Sequence, residues 1–429
     1  MKKSTIAPVD RSRDFKLSEL FFSTTDSKGV ITGFNDIFVS ISAFQSKDLL
    51  QQPHNVIRHP DMPRCVFKLL WDYLLAGKPI GAYVKNMAQT GEYYWVYALV
   101  TPIQGGFLSM RLKPSTDIFP VVKSLYAELL KTELSYGKDW RQGMIEAGTL
   151  LEKKIKELNF ESYDDFMTIS LREEIRSRNA HLGRDQAVTR GSFSSIFKEL
   201  DGLFKLREQM SEMRSFFDNM GFQISRAAVN ASIVAARLAE KGRALGVISE
   251  EVSHVATGIN SESEIFTKEM NHLNSALLET SFSVSFCTLA KEIQEYFQET
   301  KKQSSLSLHE ERLQFGASID ELMGQVQEGF EHALSTSIKN IRSLISTLHD
   351  FESFREALAK LLLNLQLGYV TGKTISVRMD GGEQFVMLLQ NIVEISEQAR
   401  IQLGQVETSV KKVTNLASNW EKTSSALLR

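Results

Sequence analysis

From Leu203 to Leu238 the apolar residues Leu203, Leu206, Met210, Met213, Phe217, Met220, Ile224, Ala227, Ala231, Val234 and Leu238 recur in unbroken alternation of three and four. That spacing is the seam of a coiled coil and predicts a long helix with one continuous buried edge. The pattern breaks at Glu240, Lys241, Gly242 and Arg243, where Gly242 permits a tight reversal. It resumes with Leu245, Ile248, Val252, Val255 and Ile259, then Phe266, Met270, Leu273 and Leu277. A seam, a turn and a seam predict an antiparallel helical hairpin over 196–285 with its tip near 240–243. None of the 8 prolines lies beyond Pro120, as long helices require. An ordinary helical bundle has the same seam, so the periodicity sets shape and not function.

Near the tip, Phe222, Val229 and Ile233 form a second apolar stripe, off the seam and interrupted by Arg226. Alanines at 227, 228, 231, 235, 236 and 239 let backbones approach closely. A second stripe predicts contact with more than one partner helix, and packing within a four-helix bundle would satisfy it as well.

Residues 20–115, after an N-terminal segment 1–19, have the texture of a compact mixed domain. Turn signals at Asp26–Gly29, Thr90–Gly91 and Gln104–Gly106 separate strand-like runs at Val30–Phe34, Tyr93–Ile103 and Phe107–Leu112. A helical patch runs from Arg64 to Ala76. Residues 116–195 read as a helical linker, with segments near Phe119–Lys131 and Asp139–Leu158. Residues 286–429 read as further helix, broken at Met379–Glu383. Around that break, Ile375, Ser376, Val377 and Arg378, then Gln384, Phe385 and Val386, weakly echo the first tip. A degenerate second hairpin and an ordinary Gly-Gly turn both remain open. The fold class is α+β: a small sheet domain followed by a long all-α hairpin or bundle.

Fifty basic and 52 acidic residues leave a net charge of −2, so nothing electrostatic points to nucleic acid or a lipid surface. The two cysteines, Cys65 and Cys287, stand far apart and outside any metal-ligand spacing, as in a reducing compartment. No run approaches the ~20 apolar residues that span a bilayer, and a cytoplasmic location is expected. There is no phosphate-binding loop, no Ser/His/Asp grouping and no zinc spacing, so no enzyme is expected.

The tip carries a resemblance. Residues 222–252, from Phe222 and Gln223 through Asn230, Arg237, Glu240 and Gly242 to Glu251 and Val252, resemble the signalling tip of methyl-accepting chemotaxis proteins. The resemblance implies a homodimer, a four-helix bundle whose tips gather into a trimer of dimers. It also implies binding to the chemotaxis histidine kinase CheA and its coupling protein CheW. By position, Phe222, Asn230, Arg237 and Glu240 match trimer contacts. Leu245, Val247 and Ile248 match the region that touches the coupling protein and kinase. Val234 stands where the family has an acidic residue, and Ala239 where it has a glycine.

The N-terminal domain resembles the PAS domain of aerotaxis, or energy-taxis, receptors from Thr24 to about Arg111. The resemblance is carried by Gln52–Pro63, with Gly33–Phe38, Gly77–Pro79, Val84–Asn86 and Gly91–Val96 around it. It implies a five-stranded antiparallel sheet with helices over one face and a bound FAD. Arg58, His59, Asp61 and Asn86 match positions that shape the flavin site, with Asn35 next. Arg58 and His59 would donate to phosphate or flavin carbonyls, Asp61 would orient them, and Asn86 would meet a ring edge. Asn55, His59 and Asp61 could equally cap the helix near Met62. Ile80 stands where the family has a tryptophan. Haem, with His54 or His59, and a ligand-free dimerisation domain are the other readings.

Together these imply a cytoplasmic transducer for aerotaxis or energy taxis, sensing redox or oxygen state through flavin and controlling the kinase from the tip. The alternative is a PAS-regulated oligomeric scaffold in biofilm or second-messenger control, without kinase coupling.

Overall fold

In the computed structural model, residues 6–184, 193–304, 306–379 and 382–427 are described. They fall into two units, one of residues up to 197 with 278–337, the other of 198–277 with 338–427. The helices α8 (Arg243–Gln303) and α10 (Ile319–Ser376) each contribute residues to both.

The first unit is built on five strands, β1 (Phe21–Asp26), β2 (Ile31–Phe34), β3 (Ile80–Met87), β4 (Tyr93–Ile103) and β5 (Gly106–Leu112). They pair antiparallel in the order β2-β1-β5-β4-β3, which is the expected sheet. Between β2 and β3 run α1 (Asp36–Ser42), α2 (Ser46–Leu49), a 3₁₀ turn (His54–Ile57) and α3 (Arg64–Leu75). Asn35 is the N-cap of α1: its Oδ1 accepts from the Phe38 N–H, and from the Phe22 N–H across the sheet.

The expected linker over 116–195 is folded onto this domain as α4 (Ile118–Ser135), α5 (Trp140–Glu157) and α6 (Tyr163–His181). One buried carboxylate organises the junction. Glu174 of α6 accepts from the Tyr83 hydroxyl of β3 at 2.9 Å, the Ser115 N–H and the Thr116 hydroxyl. Beside it Tyr83 and Tyr97 pack edge to face, 4.9 Å between centroids. Tyr97 donates to the Met167 carbonyl.

Residues 278–303 of α8, α9 (Leu308–Phe315) and the start of α10 also pack on the sheet domain. Phe22 meets Phe297 edge-on at 5.4 Å. The Tyr296 hydroxyl bonds Asp36. Arg178 of α6, fully buried, forms a bidentate pair with Glu292 of α8 at 2.8 and 2.9 Å and donates to the carbonyls of Leu17 and Ser18. The hairpin arm expected to stop at residue 285 therefore continues into the packing of the first unit.

In the second unit α7 (Phe193–Arg237), α8, α10 and α11 (Glu383–Leu427) form two hairpins packed together. Phe217 of α7, Phe266 of α8 and Phe354 of α10 share one aromatic cluster, with centroids 4.7 to 6.5 Å apart. Gly202 of α7 faces Leu416 of α11. Arg342 of α10 pairs with Glu421 of α11 at 2.6 Å. Trp420, in the stretch Asn419–Thr423, is a core residue of this bundle.

The seam of α8 is buried as expected from Leu245 to Leu277. That of α7 holds to Ile224 and then slips by one position: Ala228, Ala231 and Ala235 are buried, whereas Ala227 and Val234 are only half-buried. Met220 and Gly221 are both buried at the slip. An α-helix drifts against a strict seven-residue repeat, and two successive four-residue steps, Met213 to Phe217 to Gly221, absorb the drift.

The two hairpins are built alike. Leu245, Ser249, Val252, Ala256, Ile259 and Ser263 are buried on α8. At one constant spacing, Phe385, Leu389, Ile392, Ser396, Ala399 and Leu403 are buried on α11. Gly242 makes the tight reversal through close approach rather than a positive φ, and Gly382 is used in the same way. A Cβ on Gly242 would strike the Ala235 carbonyl, and one on Gly382 the Ser376 carbonyl. Asp380 and Gly381, within the second turn, lie outside the described residues.

Candidate functional site

The concave side of the sheet encloses a cavity of about 400 Å³, within the usual range for small-molecule pockets. Alternation along the strands turns Val84 and Asn86 of β3, Ala98 and Val100 of β4, and Phe107, Ser109 and Arg111 of β5 into it. Over them lie His54 and Asn55 of the 3₁₀ turn, Arg58, and the α3 residues Arg64, Phe67, Lys68 and Trp71.

The charge of this wall is one-sided. Lys28, Arg58, Arg64, Lys68 and Arg111 line it, and no Asp or Glu does. Lys68 is paired with Asp72 at 2.6 Å. Arg58 lies 3.8 Å over the Phe67 ring and donates to the Met62 carbonyl at 3.3 Å. Burial lowers its guanidinium from the ordinary value, against the opposing pull of Glu133.

Arg111 is the buried centre. It donates to the Ser23 hydroxyl at 3.0 Å and lies 2.7 Å from His54 Nε2. Both partners are neutral. Burial brings Arg111 down to about 10 and pushes His54 well below its usual value, with the Arg111 charge adding to the effect. His54 therefore stays neutral and accepts through Nε2, stacked on Phe38 at 6.0 Å. A buried cation with neutral partners is costly, and an anion in the cavity would relieve that cost. Asn86 Nδ2 and Ser109 Oγ are buried on the same wall with no hydrogen-bond partner among the described residues. Both can donate, and a ligand acceptor in the cavity would satisfy them.

Of the five residues expected at the flavin site, Arg58 and Asn86 meet at the cavity through a backbone bridge between them. The other three stand off its lining. Asn35 is spent on capping α1 and bracing Phe22 and Leu20. His59 is buried edge-on to Tyr93, and its Nδ1 accepts from the Asp61 N–H. Burial and then Lys85 lower its pKa, while Asp61 opposes them. Asp61 is exposed and pairs with Lys85 at 2.7 Å. Neither Asn55, His59 nor Asp61 caps α3, whose N-cap is Pro63 with no side-chain cap of its own. Glu133 of α4 takes that place, accepting the N–H groups of Arg64 at 2.9 Å and Cys65 at 2.8 Å. Arg111, Trp71 and Ser109 were missed, and His54 was named only as a haem candidate. The available signal was a single cation inside the apolar strand Phe107–Leu112.

The family model described as PAS fold matches residues 31–110. Those residues form a PAS domain. The chain is also similar to the aerotaxis receptor of Escherichia coli (strain K12), 38% identical over 112 residues. That match covers 25% of this chain and 22% of the receptor, so the chain spans about a fifth of its relative. A solved PAS domain from Colwellia psychrerythraea is 17% identical, over 22% of this chain and 85% of that one. The TM-score of that match is 0.20.

The tip is the second candidate surface. Phe222 is 64% exposed, and Val229, Ile233 and Val247 stand out beside it. Asn230, Arg237 and Glu240 are exposed, and Glu240 lies 4.0 Å from Arg243. Leu245 and Ile248 instead face the bundle interior, on the seam itself. Among the described residues no group of three or more His, Cys, Asp or Glu is placed to hold a metal ion. None of their helices is long and apolar enough to cross a membrane.

Proposed function

We propose that this chain is a signal transducer for aerotaxis or energy taxis, with FAD in the PAS cavity and the chemotaxis kinase CheA and coupling protein CheW at the tip. The observation that carries the sensor half is the cationic wall with two unpartnered donors, in a domain similar to that of an aerotaxis receptor. Lys28, Arg58, Arg64 and Arg111 would hold the negative charge of the cofactor, and Asn86 and Ser109 supply hydrogen bonds. A bound flavin would supply reversible one- and two-electron redox chemistry through which the site could report redox poise. Haem has less support, because His54 Nε2 is engaged by Arg111 and His59 is off the cavity wall.

The output half rests on α8 and α10, each one uninterrupted helix from residues packed on the PAS domain to residues near a hairpin turn. A modest change in packing at one end biases a bundle poised between two arrangements. Both hairpins of the four-helix bundle come from one chain, and we propose that the unit entering any larger assembly is this single chain. The homodimer implied by the resemblance is then not required to complete the bundle.

The test is reconstitution of the full chain with the kinase and coupling protein, under oxidising and reducing conditions. Redox-dependent kinase activity supports the proposal. Failure to bind the coupling protein supports a PAS-regulated scaffold outside taxis, the reading that the burial of Leu245 and Ile248 favours.

A further inference from the structure

The wall of the cavity is not all PAS domain. Trp140 and Met144 of α5 stand on it, beyond the residues that match the PAS family. Trp140 is the first residue of α5, held there by the Asp139 cap, whose side chain accepts from the Gln142 N–H. Trp140 is 45% exposed, a large apolar residue at the mouth of the cavity. The Arg64 guanidinium lies 5.3 Å from the ring centroid, so cation–π attraction joins α5 to the start of α3. From the other side Glu133, buried on α4, caps the same α3 terminus. The two helices of this hairpin are locked together where Gly143 abuts the Glu133 backbone and where Lys154 meets Glu128 at 3.5 Å.

We propose that the α4–α5 hairpin is part of the ligand site, with Trp140 closing the cavity over an anionic, ring-bearing ligand. The inference rests on the ligand reading above and adds the residues and the helix that respond to occupancy. A planar ring entering beneath Trp140 gains aromatic contact, and its negative charge is met by Arg64 at the mouth and Arg111 within. Filling the cavity then tightens α5 onto α3, and emptying it frees the indole. That motion reaches the Glu133 cap at once, because cap and indole belong to one hairpin.

The experiment is equilibrium titration of the full chain with FAD, followed by flavin fluorescence, with amide hydrogen exchange over residues 118–157 read in parallel. Trp140→Ala is expected to weaken FAD binding about tenfold, and Trp140→Phe to restore most of it. FAD should slow exchange in α4 and α5 of the wild type and not of Trp140→Ala. Met144→Glu is the second variant, placing a carboxylate among the cations, and it should weaken FAD at least as much. Wild-type affinity in both Trp140→Ala and Met144→Glu, with binding weakened in Arg111→Met, would overturn the role of α5 and leave the ligand reading intact. Absence of FAD binding by the wild type would overturn the ligand reading itself.

Discussion

Arg111 Nη2 lies 2.7 Å from His54 Nε2, a buried cation donating to a neutral imidazole. Its other bond is to a hydroxyl, so among the described residues the charge has no anionic partner. The first prediction follows. Arg111→Met should weaken FAD binding about tenfold or more, the worth of a charge-assisted bond. It should lower the stability of the ligand-free protein by no more than about 1 kcal/mol, because an unpaired buried charge stabilises little. Titration and urea unfolding of the same variant check both halves.

The same pair makes the fold sensitive to acid. Burial and then Arg111 push His54 well below 6.5 in the folded protein. As pH falls through 6.5, the unfolded chain takes up a proton that the folded chain refuses, and stability drops until pH reaches the depressed folded value. His54→Gln should flatten this slope between neutral and mildly acid pH, as measured by denaturant unfolding at each pH. An unchanged slope would contradict the assignment.

Arg178 and Glu292 tie α6 to α8 with two short bonds in a buried place. Removing one partner leaves the other charge stranded, so Arg178→Ala should destabilise by about 3–5 kcal/mol. Burial alone would raise the pKa of Glu292, but Arg178 and Arg184 hold it below 4.5. The stability this contributes is present above 4.5 and lost as pH falls through the depressed folded value. In Arg178→Ala that acid-side loss should shrink.

At the tip, burial separates packing from contact. Leu245→Ala should cost about 2–5 kcal/mol by opening a cavity in the bundle. Phe222→Ala, at an exposed position, should change stability by no more than about 0.5 kcal/mol while impairing assembly or kinase control. Sedimentation of the wild type at low concentration should give the mass of one chain. An obligate dimer there would contradict the single chain as the unit of assembly.

The elements that follow a repeat were legible in the sequence: β4 and β5 from aromatic and branched runs between turns, α3 to α5 from helical patches, the α7–α8 hairpin from its seam. The helix α6 was not, because it buries Glu174 and Arg178 and so carries no apolar period. The seam slip after Met220 was hidden because Ala227 and Ala228 are chemically alike, and only packing chooses between them. Of the cavity, Arg58 and Asn86 came from two short motifs, Gln52–Pro63 and Val84–Asn86. His54, Arg111 and Trp140 come from a 3₁₀ turn, a strand and a later helix, and only folding brings them to one wall. The likeness of the second hairpin to the first lies in burial rather than residue identity. Leu245 answers to Phe385 and Ser249 to Leu389, so the echo in sequence was faint.

The most direct measurement is the visible absorption spectrum of the purified full chain, before and after addition of FAD, with chromatography of what acid releases. The account predicts flavin bands, with FAD released and FAD binding weakened about tenfold or more in Arg111→Met. A chain that stays colourless after FAD is added would contradict it and leave a PAS-capped helical scaffold.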